Sequence, residues 1–368
     1  MKIALIVPGG VDRSGEYRVI PVLLALMKQL TLHHDLHVFA LTQESKRGEW
    51  KLAGAHVHNI GFGWTQPRAV MAIVREHRVA PFDIVHSIWS GACGVVAVSA
   101  ARVLRIPSVV HIAGGELIAL PDINYGGRLT LRGRLQEALV LRAATRLTAA
   151  SAPIIAEVAA LGWSAHLIPL GIDLNEWPAR PPVPRDMREP ARLIHVASLN
   201  RIKDQSTLFR AIASLHSSGV DFHLDIVGED TLRGEIQALS RSLALESRVE
   251  FHGFLPQRQL RPLVEAANLM IMSSRHETGP VAMLEAAAVG VPTVGTAVGH
   301  IAEWSPSASI AVPVGDWKEL IAAIQRMLRD EDLRLRIAQA AFQRATREDA
   351  TYTASQVQNL YRKLTNAE

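Results

Sequence analysis

The chain has 368 residues, of which 48% are hydrophobic and 20% charged. That is enough apolar material for two domain cores and too little charge for a disordered polyelectrolyte. Its 39 Lys and Arg against 35 Asp and Glu leave a net +4. This diffuse surplus fits an anionic ligand or an acidic membrane surface and gives no argument for nucleic acid.

In chain order, short apolar runs alternate with helical stretches. Residues 2–7 read as a buried strand and 18–32 as a helix, followed by strands at 35–41 and 55–60. Strands at 83–87 and 108–112 flank a helix at 92–104, and 146–150 and 166–169 close this half. Near-continuous apolar strands separated by helices predict a parallel sheet covered on both faces. The rhythm breaks at Trp177-Pro178-Ala179-Arg180-Pro181-Pro182-Val183-Pro184, because proline lacks an N–H and fixes φ. Residues 171–190 are therefore expected to connect two domains. The alternation restarts with strands at 192–197, 222–227, 249–252, 269–272 and 293–295, and helices at 207–217, 231–243, 259–267 and 281–289. From Trp317 onward the chain reads as helical, with breaks near Asp330 and Asp349. The expected fold class is α/β, with two facing Rossmann-like domains, parallel sheets and an inter-domain cleft at the strand C-termini. The domains are 1–170 and 171–345, with a closing helix in 346–368.

Chemistry concentrates after the strand at 269–272. In Ser273-Ser274-Arg275-His276-Glu277-Thr278-Gly279-Pro280-Val281, Pro280 suits a first helical position and Gly279 allows close backbone approach. The helix start at Val281 and Ala282 then offers free N–H groups to a phosphate or hydroxyl oxygen. Glu277 sits in the loop. Glu285 sits inside a helix whose neighbours are almost all apolar, so its carboxylate needs donors, which sugar hydroxyls can provide. A second segment runs strand–loop–helix through His195 to Gln205 and carries Arg201 and Lys203, cations suited to a diphosphate.

Other signals are plainer. The loop around Gly15 is glycine-rich but is neither G-x-G-x-x-G nor a Walker loop. Asp330-Glu331-Asp332 reads as a helix cap, and His33, His34 and His37 lack metal-ligand spacing, so no metal is expected. Cys93, the sole cysteine, excludes an intrachain disulfide and fits a reducing, cytoplasmic compartment. The first apolar run stops at Pro8, short of a signal-peptide core, and no run reaches the roughly 18 residues of a membrane span. Residues 127–146 interleave Arg128, Arg132, Arg134, Arg142 and Arg146 with leucines. They read either as a helix packing its leucines into the domain or as a basic amphipathic helix resting on anionic lipid.

Together these segments resemble the retaining glycosyltransferases of family 4, which have the GT-B fold. The resemblance spans nearly the whole chain, and its most specific part is the E-x7-E pair Glu277 and Glu285. The Lys203 loop, Asp225-Ile226-Val227-Gly228-Glu229, Phe251-His252-Gly253-Phe254 and Ser14-Gly15-Glu16 match in kind and order. The resemblance implies a nucleotide-diphosphate sugar donor, UDP-sugar over GDP-sugar, held mainly by the C-terminal domain, with no further cofactor. It implies Lys203 and Arg201 at the diphosphate, Glu285 at the ribose and Glu277 beside the transferred sugar. Gly253 and Phe254 would frame the base, with Gly228 and Gly15 among the binding glycines, and Gly279, Pro280 and Val281 against sugar and phosphate. The N-terminal domain would take a glycan, lipid-linked or small-molecule acceptor. Two positions depart from the family pattern. Ser198 stands where an Arg is usual, and Ala113 where a His is usual, which leaves His111 and Glu116 as substitutes. A same-fold epimerase or hydrolase and a non-catalytic nucleotide-sugar-binding protein are the alternatives.

Overall fold

A computed structural model describes residues 1–365. The chain divides into two compact units: Met1–Gly171 with the residues from Glu348 onward, and Ile172–Arg347. Among the described residues, no helix is long and apolar enough to cross a membrane.

The first unit runs β1 (Lys2–Val7), α1 (Pro21–Thr31), β2 (Asp35–Ala40), β3 (Gly48–Leu52), β4 (Ala55–Asn59), α2 (Thr65–Val79) and β5 (Ile84–Ile88). It continues with α3 (Ala92–Leu104), β6 (Ser108–Ile112), α4 (Leu131–Ala143), β7 (Arg146–Ala149), α5 (Ala152–Ala160) and β8 (His166–Leu167). The sheet order is β3-β4-β2-β1-β5-β6-β7-β8, parallel except for the antiparallel β3–β4 pair. All six residues of β1 are buried, as a central strand between two helical layers requires. Leu5, Val38 and Val109 line one face, and Ala4, Ile6 and Val85 the other. The chain moves outward from β1 to β4, then returns through α2 to β5, so β1 and β5 flank a topological switch point.

The first helix starts at Pro21, three residues later than the sequence pattern predicts. Arg18 has φ 53°, and the loop before it is a small hairpin in which Ile20 N–H donates to Gly10 O at 3.0 Å. Proline then sets the first helical φ.

The second unit runs β9 (Ala191–Val196), α6 (Gln205–Ser217), β10 (Phe222–Val227), α7 (Glu235–Ser242), β11 (Val249–Gly253), α8 (Gln257–Ala266), β12 (Leu269–Met272) and α9 (Val281–Ala288). It ends with β13 (Thr293–Thr296), α10 (Gly299–Trp304), β14 (Ile310–Val312), α11 (Trp317–Arg329) and α12 (Glu331–Arg347). Its sheet, β11-β10-β9-β12-β13-β14, is parallel throughout. Leu193, Leu224 and Ile271 pack against Phe209 and Ile212 of α6 and against Leu320, Ile324 and Met327 of α11. The last three recur at helical spacing, which gives α11 its single apolar face.

The proline-rich stretch, expected to connect the two domains, is packed onto the second unit. Arg180 N–H donates to Ala288 O at 2.9 Å, its guanidinium lies 2.8 Å from Glu265, and Trp177 is buried. These contacts strap residues 177–182 onto the second unit. The final helix α13 (Ala350–Thr365) belongs to the first unit. Its Thr353 hydroxyl donates to Pro169 O at 2.7 Å and accepts from Gly171 N–H at 2.9 Å. Its buried Tyr361 places its hydroxyl 2.6 Å from Nδ1 of His86 on β5.

Candidate active site

In the second unit, β9 pairs with β10 on one side and β12 on the other, so the loops leaving β9 and β12 emerge side by side at the strand C-termini. An open parallel sheet binds ligands at such a switch point. The two loops are zipped together: Ser273 Oγ donates to Lys203 O at 2.8 Å, and Arg275 N–H donates to Ile202 O at 2.7 Å. That zipper brings Lys203 Nζ to 2.5 Å from Glu277 Oε1, where Ser274 Oγ also donates at 2.7 Å. Both ends of the ion pair are largely buried, so the pair is better shielded from water and salt than a surface one.

The Lys203 loop is braced from below. His195 of β9 is fully buried, with Nδ1 2.9 Å from Ile271 O and Nε2 3.2 Å from Gln205 Nε2. The carbonyl makes Nδ1 the donor, which leaves Nε2 to accept from the amide. Burial pushes the His195 imidazole down to about 4, so it stays neutral. Gln205 also donates to Ser198 O at 3.1 Å, and Asp204 caps α6 by accepting from Thr207 N–H at 3.4 Å while its other oxygen accepts from the Thr207 hydroxyl at 2.7 Å. The loop is thereby pinned at both ends.

Pro280 occupies the N-cap of α9, one residue earlier than the expected first helical position, so the helix begins at Val281. Met283 N–H is taken up by Pro280 O at 3.2 Å, whereas the N–H groups of Val281 and Ala282 have no acceptor within the helix by its geometry. Gly279 packs on His300: a Cβ there would stand 2.8 Å from Nε2 of that imidazole.

Glu285 is 3% exposed and faces into the unit. Gln257 Nε2 donates to its Oε1 at 2.8 Å, and Trp177 Nε1 donates to Gln257 Oε1 at 2.7 Å. Desolvation raises this carboxyl to about 7 in spite of these donors. Sequence reading anticipated a buried carboxylate in search of donors but not Gln257 and Trp177. The available signal was the tryptophan itself, a large indole in a proline-rich run that needs both burial and a partner for its N–H.

Gly228 and Gly253 lie together where β10 and β11 end. A register shift after Ile226 sets Val227 opposite Gly253, and Gly228 N–H donates to Gly253 O at 2.8 Å. Gly228 has φ 151°, and a Cβ there would sit 2.0 Å from Ala197 O. Gly253 has φ 66° with open space around it, and Phe254 beside it is half exposed. His252 Nε2, 2.7 Å from Asp225 Oδ1, ties the two strands together just before this end.

Of the other expected residues, Arg201 lies in the Lys203 loop, and His111, Glu116 and Gly15 belong to the first unit. Arg201 is exposed and spends its guanidinium on Glu235, 2.6 Å away. His111, on β6 of the first unit, is 1% exposed, with Nδ1 2.9 Å from the Thr148 hydroxyl, and burial pushes its imidazole down to about 4. It is a core histidine in this structure. Glu116 accepts from Ser90 N–H at 2.8 Å beside the start of α3, and burial raises its carboxyl. Gly15 has φ 67° and donates its N–H to Asp12 O at 3.0 Å within the hairpin that follows β1.

Known proteins agree with this architecture. Residues 182–344 match the family model for glycosyl transferases group 1, and residues 19–171 match that for a glycosyl transferase 4-like domain. A putative glycosyltransferase of Bacillus subtilis, EpsF, is 27% identical over 277 residues, 69% of this chain and 68% of its own. The 2-deoxystreptamine glucosyltransferase of Streptomyces kanamyceticus is 24% identical over 282 residues, 71% of this chain and 72% of its own. Among solved structures, sucrose-phosphate synthase from Thermosynechococcus elongatus superposes with a TM-score of 0.82 at 20% identity over 100% of both chains. Anabaena HepE, solved with UDP-glucose, gives a TM-score of 0.77 at 20% identity, covering 99% of this chain and 100% of its own. With two parallel-sheet α/β units and both halves matched, the chain belongs to the group 1, family 4-type glycosyltransferases and has the GT-B fold.

Proposed function

We propose that this glycosyltransferase moves a sugar from a nucleotide-diphosphate donor to an acceptor hydroxyl with retention of anomeric configuration. The carrying observation is the Lys203–Glu277 pair at the switch point of the second unit, set close to the start of α9. The departing diphosphate gains negative charge as the sugar becomes oxocarbenium-like. A fixed ammonium and helix N–H groups stabilise that charge without proton transfer. Lys203 is assigned to the diphosphate, and Glu277, held by Ser274, to the hydroxyls of the transferred sugar.

Glu285 is assigned to the ribose, with Gln257 and Trp177 fixing its orientation. Gly253, Phe254 and Gly228 form the base side, where the open space at Gly253 admits a ring. Arg201 joins the phosphate site only by leaving Glu235. No divalent ion is given a part, and transfer should persist in chelator. The first unit is assigned to the acceptor, and the cytoplasm to the protein, in keeping with a single, buried cysteine, Cys93. A UDP-sugar is the favoured donor, in line with the UDP-glucose bound by HepE.

A thermal-shift panel of UDP- and GDP-sugars tests the donor, since stabilisation grows as RT ln(1 + [L]/Kd). Transfer followed by anomer-resolved NMR tests the outcome. No shift with any nucleotide sugar, or sugar release that is indifferent to acceptor, would count against the proposal.

A further inference from the structure

Helix α4 is apolar on two opposite faces. Its inner face is short: Val140 and Leu141 are buried, and Val140 lies against Gly94 of α3, where a Cβ would meet it at 2.8 Å. Leu131, Leu135 and Leu139 recur every four residues on the outer face, yet they are 73%, 63% and 51% exposed. At 100° per residue these three span about 80° and point away from Val140 and Leu141. Of the two readings of this helix, packing its leucines into the domain holds for Leu141 and fails for these three.

The charges follow the same division. Arg132 and Arg142 are exposed, and their positions on the helix fall within or beside the leucine sector. Arg134 and Arg146 are exposed as well, with their guanidinium groups on the carbonyls of Arg128 and Thr145. The single acid of residues 127–146, Glu137, is turned inward and lies 3.3 Å from Arg128. No carboxylate of the helix opposes its outward positive charge.

We propose that the Leu131–Leu135–Leu139 face of α4 docks the first unit on an anionic lipid surface. The leucines enter the headgroup–acyl boundary while the arginines reach back to lipid phosphates. A helix that lies in the interface carries this combination of an apolar stripe and flanking cations. Charge selects the occupant: an anionic bilayer satisfies both the leucines and the arginines, whereas a second copy would set like-charged arginine faces against each other. The inference is independent of the donor assignment, since it uses no residue of the second unit.

The test is co-sedimentation of the full chain with phosphatidylcholine vesicles and with vesicles containing phosphatidylglycerol. The wild type should bind the anionic vesicles and largely ignore the neutral ones. Arg132→Glu with Arg142→Glu should weaken partitioning at least roughly 25-fold, at about fivefold for each arginine near the surface. Leu131→Ser, Leu135→Ser and Leu139→Ser together should weaken it about 100-fold or more. Each variant should keep the wild-type melting temperature and any wild-type response to UDP, which separates lost docking from lost folding. Absence of wild-type binding to anionic vesicles overturns the proposal, as does full binding by the triple variant. A wild-type dimer in light scattering that the triple variant abolishes also overturns it, in favour of a second copy.

Discussion

Lys203 and Glu277 are 74 positions apart in the chain, and their side chains meet at 2.5 Å. The pair exists because β9 and β12 are neighbours, which sets their two exit loops side by side. Lys203→Ala removes the cation and leaves Glu277 with Ser274 alone. The transfer rate should fall by at least about 100-fold, the range found when one preorganised donor to a developing anion is lost. Unfolding should change by about 1–3 kcal/mol, since Glu277 keeps Ser274 and the bond from Arg275 N–H to Ile202 O still joins the loops. Steady-state kinetics with a thermal melt on the same sample reads both, and near wild-type turnover would remove Lys203 from the mechanism.

Glu285 should set a pH dependence of stability. Burial raises its carboxyl to about 7, above the ordinary value of 4.5, so the folded chain holds a proton that the unfolded chain has released. Its contribution is fully present below about 4.5 and is lost as pH rises through 7. Glu285→Gln keeps an oxygen for Gln257 and abolishes the titration. The variant should match the wild type near pH 4.5 and gain on it up to about 3 kcal/mol by pH 8. Denaturant melts across that range check the trend, and parallel curves would place the carboxylate elsewhere.

Two glycines at the end of one strand pair should respond differently to alanine. At Gly228 the new Cβ would meet Ala197 O at 2.0 Å, a backbone atom that cannot step aside. Gly228→Ala should unfold the second unit or cost about 3 kcal/mol or more. At Gly253 nothing obstructs a Cβ, and φ 66° leaves only the left-handed backbone penalty. Gly253→Ala should cost about 1 kcal/mol. Equal losses in calorimetry would contradict this geometry.

Tyr361→Phe tests the seating of the last helix. It removes a hydroxyl 2.6 Å from His86 Nδ1 and leaves a buried imidazole without that partner. The expected cost is about 1–3 kcal/mol. Burial also pushes His86 down to about 3, so the folded ring stays neutral while the unfolded one charges below about 6.5. Stability should therefore decline as pH falls from 6.5 toward 3 in both proteins. A variant as stable as the wild type at pH 7 would show that the hydroxyl is dispensable.

Periodicity carried the buried framework well. The strands at β1, β6, β10 and β12 and the helix α3 lie at the residues the apolar runs mark, because fully buried elements announce themselves in composition. Elements at the margins were harder. The edge strand β3 alternates half-buried and exposed residues, and α2 buries only Ala69 and Ile73 among many charges. Helix α7 starts at Glu235 rather than 231 because the Asp230 carboxylate takes the N–H groups of Leu232 and Gly234, each at 2.7 Å. At the site, the loop residues were legible as types in order. The partners of Glu285 were not, because Gln257 and Trp177 come from a helix start and a proline-rich strap whose meeting is tertiary.

The return of α13 to the first unit also bears on how the molecule is made. The second unit is one unbroken stretch, Ile172–Arg347, whereas the first also needs residues that follow it. On a ribosome, the first 171 residues emerge early but wait for the helix carrying Tyr361. Until that helix arrives, the face of the first sheet that holds Leu5, Val38 and His86 lacks one of its two covering helices. The unit begun first is therefore the one finished last, and its apolar face stays open through synthesis of the whole second unit. Such exposure invites chaperone capture.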